Sequence, residues 1–130
     1  MANPNIVDVA DIRGESLGFN LSNNVAAVLL TVENEKLMKI NRIICANVDG
    51  SSAASLSLYV AKANFSPEVC ANFDTSGSFY IAKTISVPPN STLIILDTPI
   101  YLMEADALRG GASAASDLDL FISYEVLNDA

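Results

Sequence analysis

The segment Leu118-Asp119-Leu120-Phe121-Ile122-Ser123-Tyr124-Glu125-Val126 carries an apolar residue at every even position, while Asp119, Ser123 and Glu125 point the other way. Successive side chains of a strand leave on opposite faces, so a period of two describes a strand with one face buried and one wet. Ser55 to Lys62 repeats the pattern with Leu56, Leu58 and Val60, and Phe79 to Val87 repeats it with Phe79, Ile81, Ile85 and Val87. Further strands are expected at Val25 to Glu33, Lys39 to Val48, Thr92 to Asp97, Pro99 to Leu102 and Ala107 to Ala112, with a weaker one near Ser16 to Leu21. Asp49-Gly50-Ser51-Ser52, Thr75-Ser76-Gly77, Pro88-Pro89-Asn90-Ser91 and Ser113 to Ser116 supply turn residues where the alternation stops.

Short strands at near-regular spacing, with no amphipathic helix long enough to cross between parallel strands, predict an all-β fold. The expected form is an antiparallel β-sandwich of about eight strands, Greek-key or jelly-roll-like, preferred over a barrel. The chain of 130 residues suits one domain, taken as residues 16–130, preceded by an arm over residues 1–15. The arm's apolar members Ile6, Val7, Val9 and Ile12 fit it to cover its own sheet or to pair with a neighbouring subunit. Asn64 to Phe73 does not alternate; its Ser66-Pro67 pair suits either one helical turn or a long loop.

Apolar residues make up 51% of the chain and charged ones 17%, which rules against disorder and leaves apolar surface to be covered by a partner. Seven Lys and Arg stand scattered against fifteen Asp and Glu, a formal charge of -8. Neither nucleic acid nor an anionic membrane is an expected partner of such a chain. Met-Ala-Asn-Pro-Asn lacks the charged and apolar regions of a secretory signal, so synthesis in the cytoplasm is expected. Val25 to Leu30 is the longest apolar run, far short of the roughly 20 residues that span a bilayer. Cys45 and Cys70 read as buried small hydrophobes, not as a disulfide framework.

The chain has no histidine, which removes Ser-His-Asp triads, Cys-His dyads and zinc sites built on imidazole. Two carboxylate pairs remain, Glu104 with Asp106 and Asp117 with Asp119. The second pair lies on the face opposite the apolar residues of its strand, where solvation explains it without acid/base chemistry. Glu104-Ala105-Asp106 precedes a strand and could ligate calcium from a turn, though without the acidic spacing of a dedicated calcium loop. Gly110-Gly111 has no phosphate-loop context and reads as a strand bend or bulge. No catalytic residue, cofactor or metal is therefore assigned. Tyr59, Tyr80 and Phe121 are the exposed-face aromatics, suited to cross-strand pairing, to subunit contacts or to a platform for stacking sugars.

Lys39-Ile40-Asn41-Arg42-Ile43-Ile44-Cys45-Ala46-Asn47-Val48-Asp49-Gly50, Phe79 to Lys83 leading to Val87 to Leu93, and Pro99 to Arg109 followed by Ala112 to Ser116 and Phe121 to Glu125 form a further pattern. Over these residues the chain resembles small virion structural proteins of tailed phages, especially those of marine bacteria and cyanobacteria. The resemblance implies a non-enzymatic virion protein, located in the particle, that contacts copies of itself and other virion proteins. It would stabilise or decorate the head, or join head and tail. Family members carry Gly where Ala105 stands, which argues against a positive-φ turn here, and a β-branched residue at Gly110, which implies a locally weakened strand. A different class of function is a β-sandwich module that recognises host-surface glycans through Tyr59, Tyr80 and Phe121.

Overall fold

A computed structural model describes residues 9–63 and 76–129. Nine strands follow one another: β1 (Val9–Asn20), β2 (Val28–Thr31), β3 (Lys36–Asn47), β4 (Ala54–Lys62), β5 (Gly77–Val87), β6 (Thr92–Leu96), β7 (Ile100–Leu102), β8 (Ala107–Ala112) and β9 (Leu118–Asp129). One sheet has the order β1-β9-β3-β6, with β7 beside β6 on the same edge of β3, and the other has the order β2-β8-β4-β5. Every pairing is antiparallel. Counting β6 and β7 as one interrupted strand gives eight positions in the orders 1-8-3-6 and 2-7-4-5. That is the jelly roll, in which each sheet's inner face is covered by the other. Among the described residues there is no helix, and so none long and apolar enough to cross a membrane.

The core lies where the alternation of β9, β3, β4 and β8 points inward. Leu118, Leu120 and Ile122 of β9 and Ile40, Ile43 and Cys45 of β3 meet Leu56 and Leu58 of β4 and Leu108 of β8, all fully buried. Each such aliphatic side chain contributes about 1.5–3 kcal/mol through loss of apolar surface to water. Along β3 the period of two is interrupted once: Ile40 opposes Tyr124 and Arg42 opposes Ser123, so Asn41 is an extra residue. This bulge lets Ile40 and Ile43, three apart in sequence, both face inward.

Several expected boundaries move for identifiable reasons. β2 is confined to Val28–Thr31, because Asn24 closes a local turn, its Oδ1 accepting from Ala26 N at 3.0 Å and its carbonyl from Ala27 N at 3.2 Å. β1 extends beyond the weak Ser16 to Leu21 signal, and residues 9–15 pair with Tyr124 to Asp129 of the same chain. In β5 the expected inward set holds only in part, with Val87 buried and Ile81 packed against the core but Phe79 and Ile85 turned out. Val87 and Ala82 are buried, whereas Phe79 is 53% exposed and Ile85 39%. Two register shifts against β4 move the phase, and Thr84, at φ 53°, sits in one of them with its amide donating to Ser57 Oγ at 3.1 Å. The stretch 64–73, expected as a helical turn or loop, lies outside the described residues.

The two glycines of β8 answer a packing demand instead of forming a bulge. A Cβ on Gly110 would stand 2.4 Å from the Ser57 carbonyl oxygen, and one on Gly111 would stand 2.5 Å from that of Asn24. The register of β8 against β4 is unbroken through both. The shift against β2 falls between Val28 and Leu30, so the extra residue is Leu29, on the neighbouring strand. The strand expected to be weakened at Gly110 is thus a close-packed centre of its sheet.

Candidate functional site

Asp119 is exposed and accepts from Asn20 Nδ2 at 2.7 Å, a surface contact between neighbouring strands. Glu104 and Asp106 are buried, at 6% and 0% exposure. Asp106 accepts from Lys62 Nζ at 2.7 Å, Met103 N at 2.9 Å and Ala63 N at 3.0 Å, while Glu104 Oε2 accepts from Glu35 N at 2.9 Å. Ala105, between them, holds a φ of 69°, and Asp106 N closes the turn on Met103 O at 3.0 Å. The positive-φ turn therefore forms with Ala in place of Gly. A carboxylate ringed by an ammonium and two amides is a satisfied structural anion, the reverse of a calcium cage. Among the described residues no cluster of three or more Cys, Asp or Glu could hold a metal ion.

A cleft of about 280 Å³ lies where β1 and β2 face each other across the sandwich, lined by Arg13, Glu15, Leu30, Met38 and Tyr124 among others. Its charged groups and its tyrosine are paired with one another. Tyr124 donates to Glu15 Oε1 at 2.8 Å, Lys36 meets Glu33 at 2.9 Å and Arg13 meets Asp11 at 3.5 Å. Burial, then the hydrogen bond to Glu15 and its charge, push the Tyr124 hydroxyl up to about 12, so it is no base at neutral pH. Cys45 is a free, fully buried thiol pushed up to about 11 by burial, with the Asp119 carboxylate adding to the effect. Cys70 lies outside the described residues.

What remains is surface, and the strand register orders it into rows. On the outer face of the five-stranded sheet Gly18 opposes Phe121, Phe121 opposes Ile44, and Ile44 opposes Ile94. Phe121 and Ile94 are 49% and 53% exposed and Ile44 is half-buried, so an apolar row runs across β9, β3 and β6. Gly18 leaves room for the Phe121 ring, whose Cδ1 would lie 3.4 Å from a Cβ there. On the same face Ile12, 59% exposed, opposes Leu127, which opposes Leu37. Between the two rows lie Ser16, Ser123 and Arg42.

The outer face of the four-stranded sheet carries a row of another kind. Val28 opposes Arg109, Arg109 opposes Tyr59, and Tyr59 opposes Tyr80. The two tyrosine rings are tilted by 45° with centroids 5.1 Å apart, and Lys83 Nζ stands 5.1 Å from the Tyr80 centroid.

No protein-family model and no curated protein matches the chain. Among solved structures, the VP2 subviral particle of infectious bursal disease virus aligns with 91% of this chain and 32% of its own, at 12% identity and a TM-score of 0.40. The Gx strain of the same virus aligns with 94% of this chain and 38% of its own, at 6% identity and a TM-score of 0.40. For the Gt strain the figures are 93%, 32%, 9% and 0.31. The chain spans about a third of the length of these proteins.

Of the residues singled out in the sequence, Tyr59 and Tyr80 come together, and Phe121 stands apart on the opposite outer face of the sandwich. The three form no common platform. Ile12 shares the Phe121 face, Val9 opens β1 opposite Asp129, and Ile6 and Val7 lie outside the described residues. Ile44 and Ile94 were not singled out, because membership of a row across a sheet depends on register, which a single strand's sequence does not contain. Arg109 and Lys83 escaped for the same reason.

Proposed function

We propose that the chain is a non-enzymatic structural protein of a bacteriophage particle. It stabilises or decorates the head, or joins head and tail, through contacts with copies of itself and with other virion proteins. It is synthesised in the host cytoplasm and works in the virion. The observation that carries this reading is the outward row Phe121, Ile44 and Ile94, apolar over three adjacent strands of an otherwise mixed face. Large aromatic and aliphatic side chains presented together on a sheet are what subunit interfaces cover. Jelly rolls are among the architectures of viral capsid domains, although a fold by itself assigns no function. Among the described residues Glu104, Asp106 and the Cys45 thiol, the buried groups that could carry chemistry, are engaged in holding the fold. The sequence resemblance to phage virion proteins supplies the particle.

In this reading the arm of residues 1–15 and the domain of residues 16–130 act together, since β1 runs through both and carries Ile12 on the contact face, and Ile6, Val7 and Val9 are proposed as further interface residues. Two copies related by a twofold axis would lay the same row against itself, an isologous contact. The native mass of the purified protein tests this. Wild type is expected as a closed oligomer, and Phe121→Glu combined with Ile94→Glu is expected as a monomer with an unchanged circular-dichroism spectrum. A wild-type chain that stays monomeric at high concentration would overturn the proposal.

A further inference from the structure

The four-stranded sheet is electrically unlike the rest of the molecule. In a chain of formal charge -8, none of β2, β4, β5 and β8 contains Asp or Glu, and their charged residues are Lys62, Lys83 and Arg109. Lys62 is engaged with Asp106. Neither Lys83 nor Arg109 has a carboxylate partner among the described residues, and Arg109 Nε is packed out of contact with water without any acceptor among them. Among the described residues, then, the positive charge on this face has no carboxylate beside it, and an anion is the ligand chemistry that complements it.

That charge sits beside the tyrosine pair. Register places Arg109 next to Tyr59 and Tyr59 next to Tyr80, at the 4.5–5.5 Å spacing of cross-strand neighbours, roughly, with Lys83 over the far ring. The neighbouring row of the same face is small: Thr31, Ala107, Ala61 and Ser78. On the other side Ser57 opposes Gly111. Tyr80 stands half exposed beside the small row, while on the Gly111 side the backbone of Asn24 lies against the sheet. A flat ring flanked by cations suits a ligand that has both an apolar face and an acid. A pyranose carrying a carboxylate has both, since its axial C–H groups form the apolar face. An acidic peptide fits less well, because sheets take up peptides along an open edge or in a groove, and this row lies across the face.

We propose that the outer face of the four-stranded sheet binds an acidic saccharide, with the sugar ring stacked on Tyr80 and Tyr59 and the carboxylate held by Arg109 and Lys83. The site is separate from the apolar row of the other sheet, so it stands or falls independently of the assembly described above. It needs Tyr59 and Tyr80 but not Phe121.

Calorimetric titration of the full chain with uronic-acid and sialic-acid oligosaccharides, against neutral oligosaccharides of equal length, tests the site. The acidic sugars are expected to bind at least about tenfold more tightly than the neutral ones. Tyr80→Ala and Lys83→Gln, both at exposed positions that leave the fold intact, are each expected to weaken binding by about tenfold or more, and Phe121→Ala to leave it unchanged. The proposal is overturned if no acidic sugar binds, if neutral sugars bind equally, or if Tyr80→Ala and Lys83→Gln both bind as wild type does. Equal binding of an oligoglutamate peptide would also overturn it, assigning the face to an acidic protein surface.

Discussion

Ala105 holds a φ of 69° in a turn that glycine would occupy without strain, and the turn cannot relax because both flanking carboxylates are fixed by hydrogen bonds. Ala105→Gly is expected to stabilise the protein by about 0.5–1 kcal/mol, less whatever the freer unfolded chain takes back. A rise of a few degrees in Tm would register it; a fall would show that the Ala methyl makes a contact worth more than the strain. Alkaline pH tests two other residues. Cys45 has an ordinary value of 9.0 and is held at about 11, and Tyr124 has an ordinary value of 10.0 and is held at about 12. Between each pair of values the unfolded chain has released a proton that the native state keeps, so stability falls as pH rises. The thiol's contribution is complete below pH 9 and lost through 11, and the tyrosine's is complete below 10 and lost through 12. For Cys45 the loss amounts to about 2–3 kcal/mol. Thermal melts above pH 9 should show the decline, with the part between 9 and 11 absent in Cys45→Ala and the part above 10 reduced in Tyr124→Phe.

Among the elements, β8 has least latitude, lying between β2 and β4 with backbone close to both glycines. Gly110→Ala is expected to cost about 2 kcal/mol or more, since the obstacle at 2.4 Å is the backbone oxygen of Ser57, which cannot swing aside as a side chain can. Urea unfolding gives the number, and a cost under about 0.5 kcal/mol would mean that β4 yields at Ser57. β8 also shows what a sequence conceals. The alternation of β9 and β4 is legible because those strands lie inside their sheets, with one face on the core, so that Leu118, Leu120, Ile122, Leu56 and Leu58 mark it unmistakably. β5 is an edge strand with two register shifts, and there Phe79 and Ile85 look like core but stand half out of it. The paired glycines read as a bend because the oxygens that require them come from segments far away in sequence. Asn47 was invisible for the same reason. It is buried where its side-chain amide donates to Val87 O at 2.9 Å and Ser52 O at 3.0 Å, tying three segments together. The candidate faces were legible as single aromatics, Tyr59, Tyr80 and Phe121, but not as rows, because which residues share a row is a property of pairing between strands.

At the scale of the molecule the two sheets present different surfaces to the same solvent, and salt separates them. A chain of formal charge -8 repels its own copies, so an apolar contact through Phe121, Ile44 and Ile94 forms against a long-range electrostatic penalty. The Debye length shrinks from about 30 Å at 0.01 M to about 8 Å at 0.15 M, which removes most of that penalty while leaving the apolar contact intact. Self-association is therefore expected to strengthen as salt is raised over this range. The face bearing Arg109 and Lys83 has the opposite dependence, because its ligand is attracted by charge that salt screens. Sedimentation equilibrium and ligand titration across one salt series would reveal both signs in one protein. Association that weakens with salt would mean that copies meet through opposite charges, with the acidic loops of one copy set on the carboxylate-free sheet of the next. A contact of that kind joins two different surfaces and does not close on a twofold axis, so it would build rings or filaments in place of a dimer.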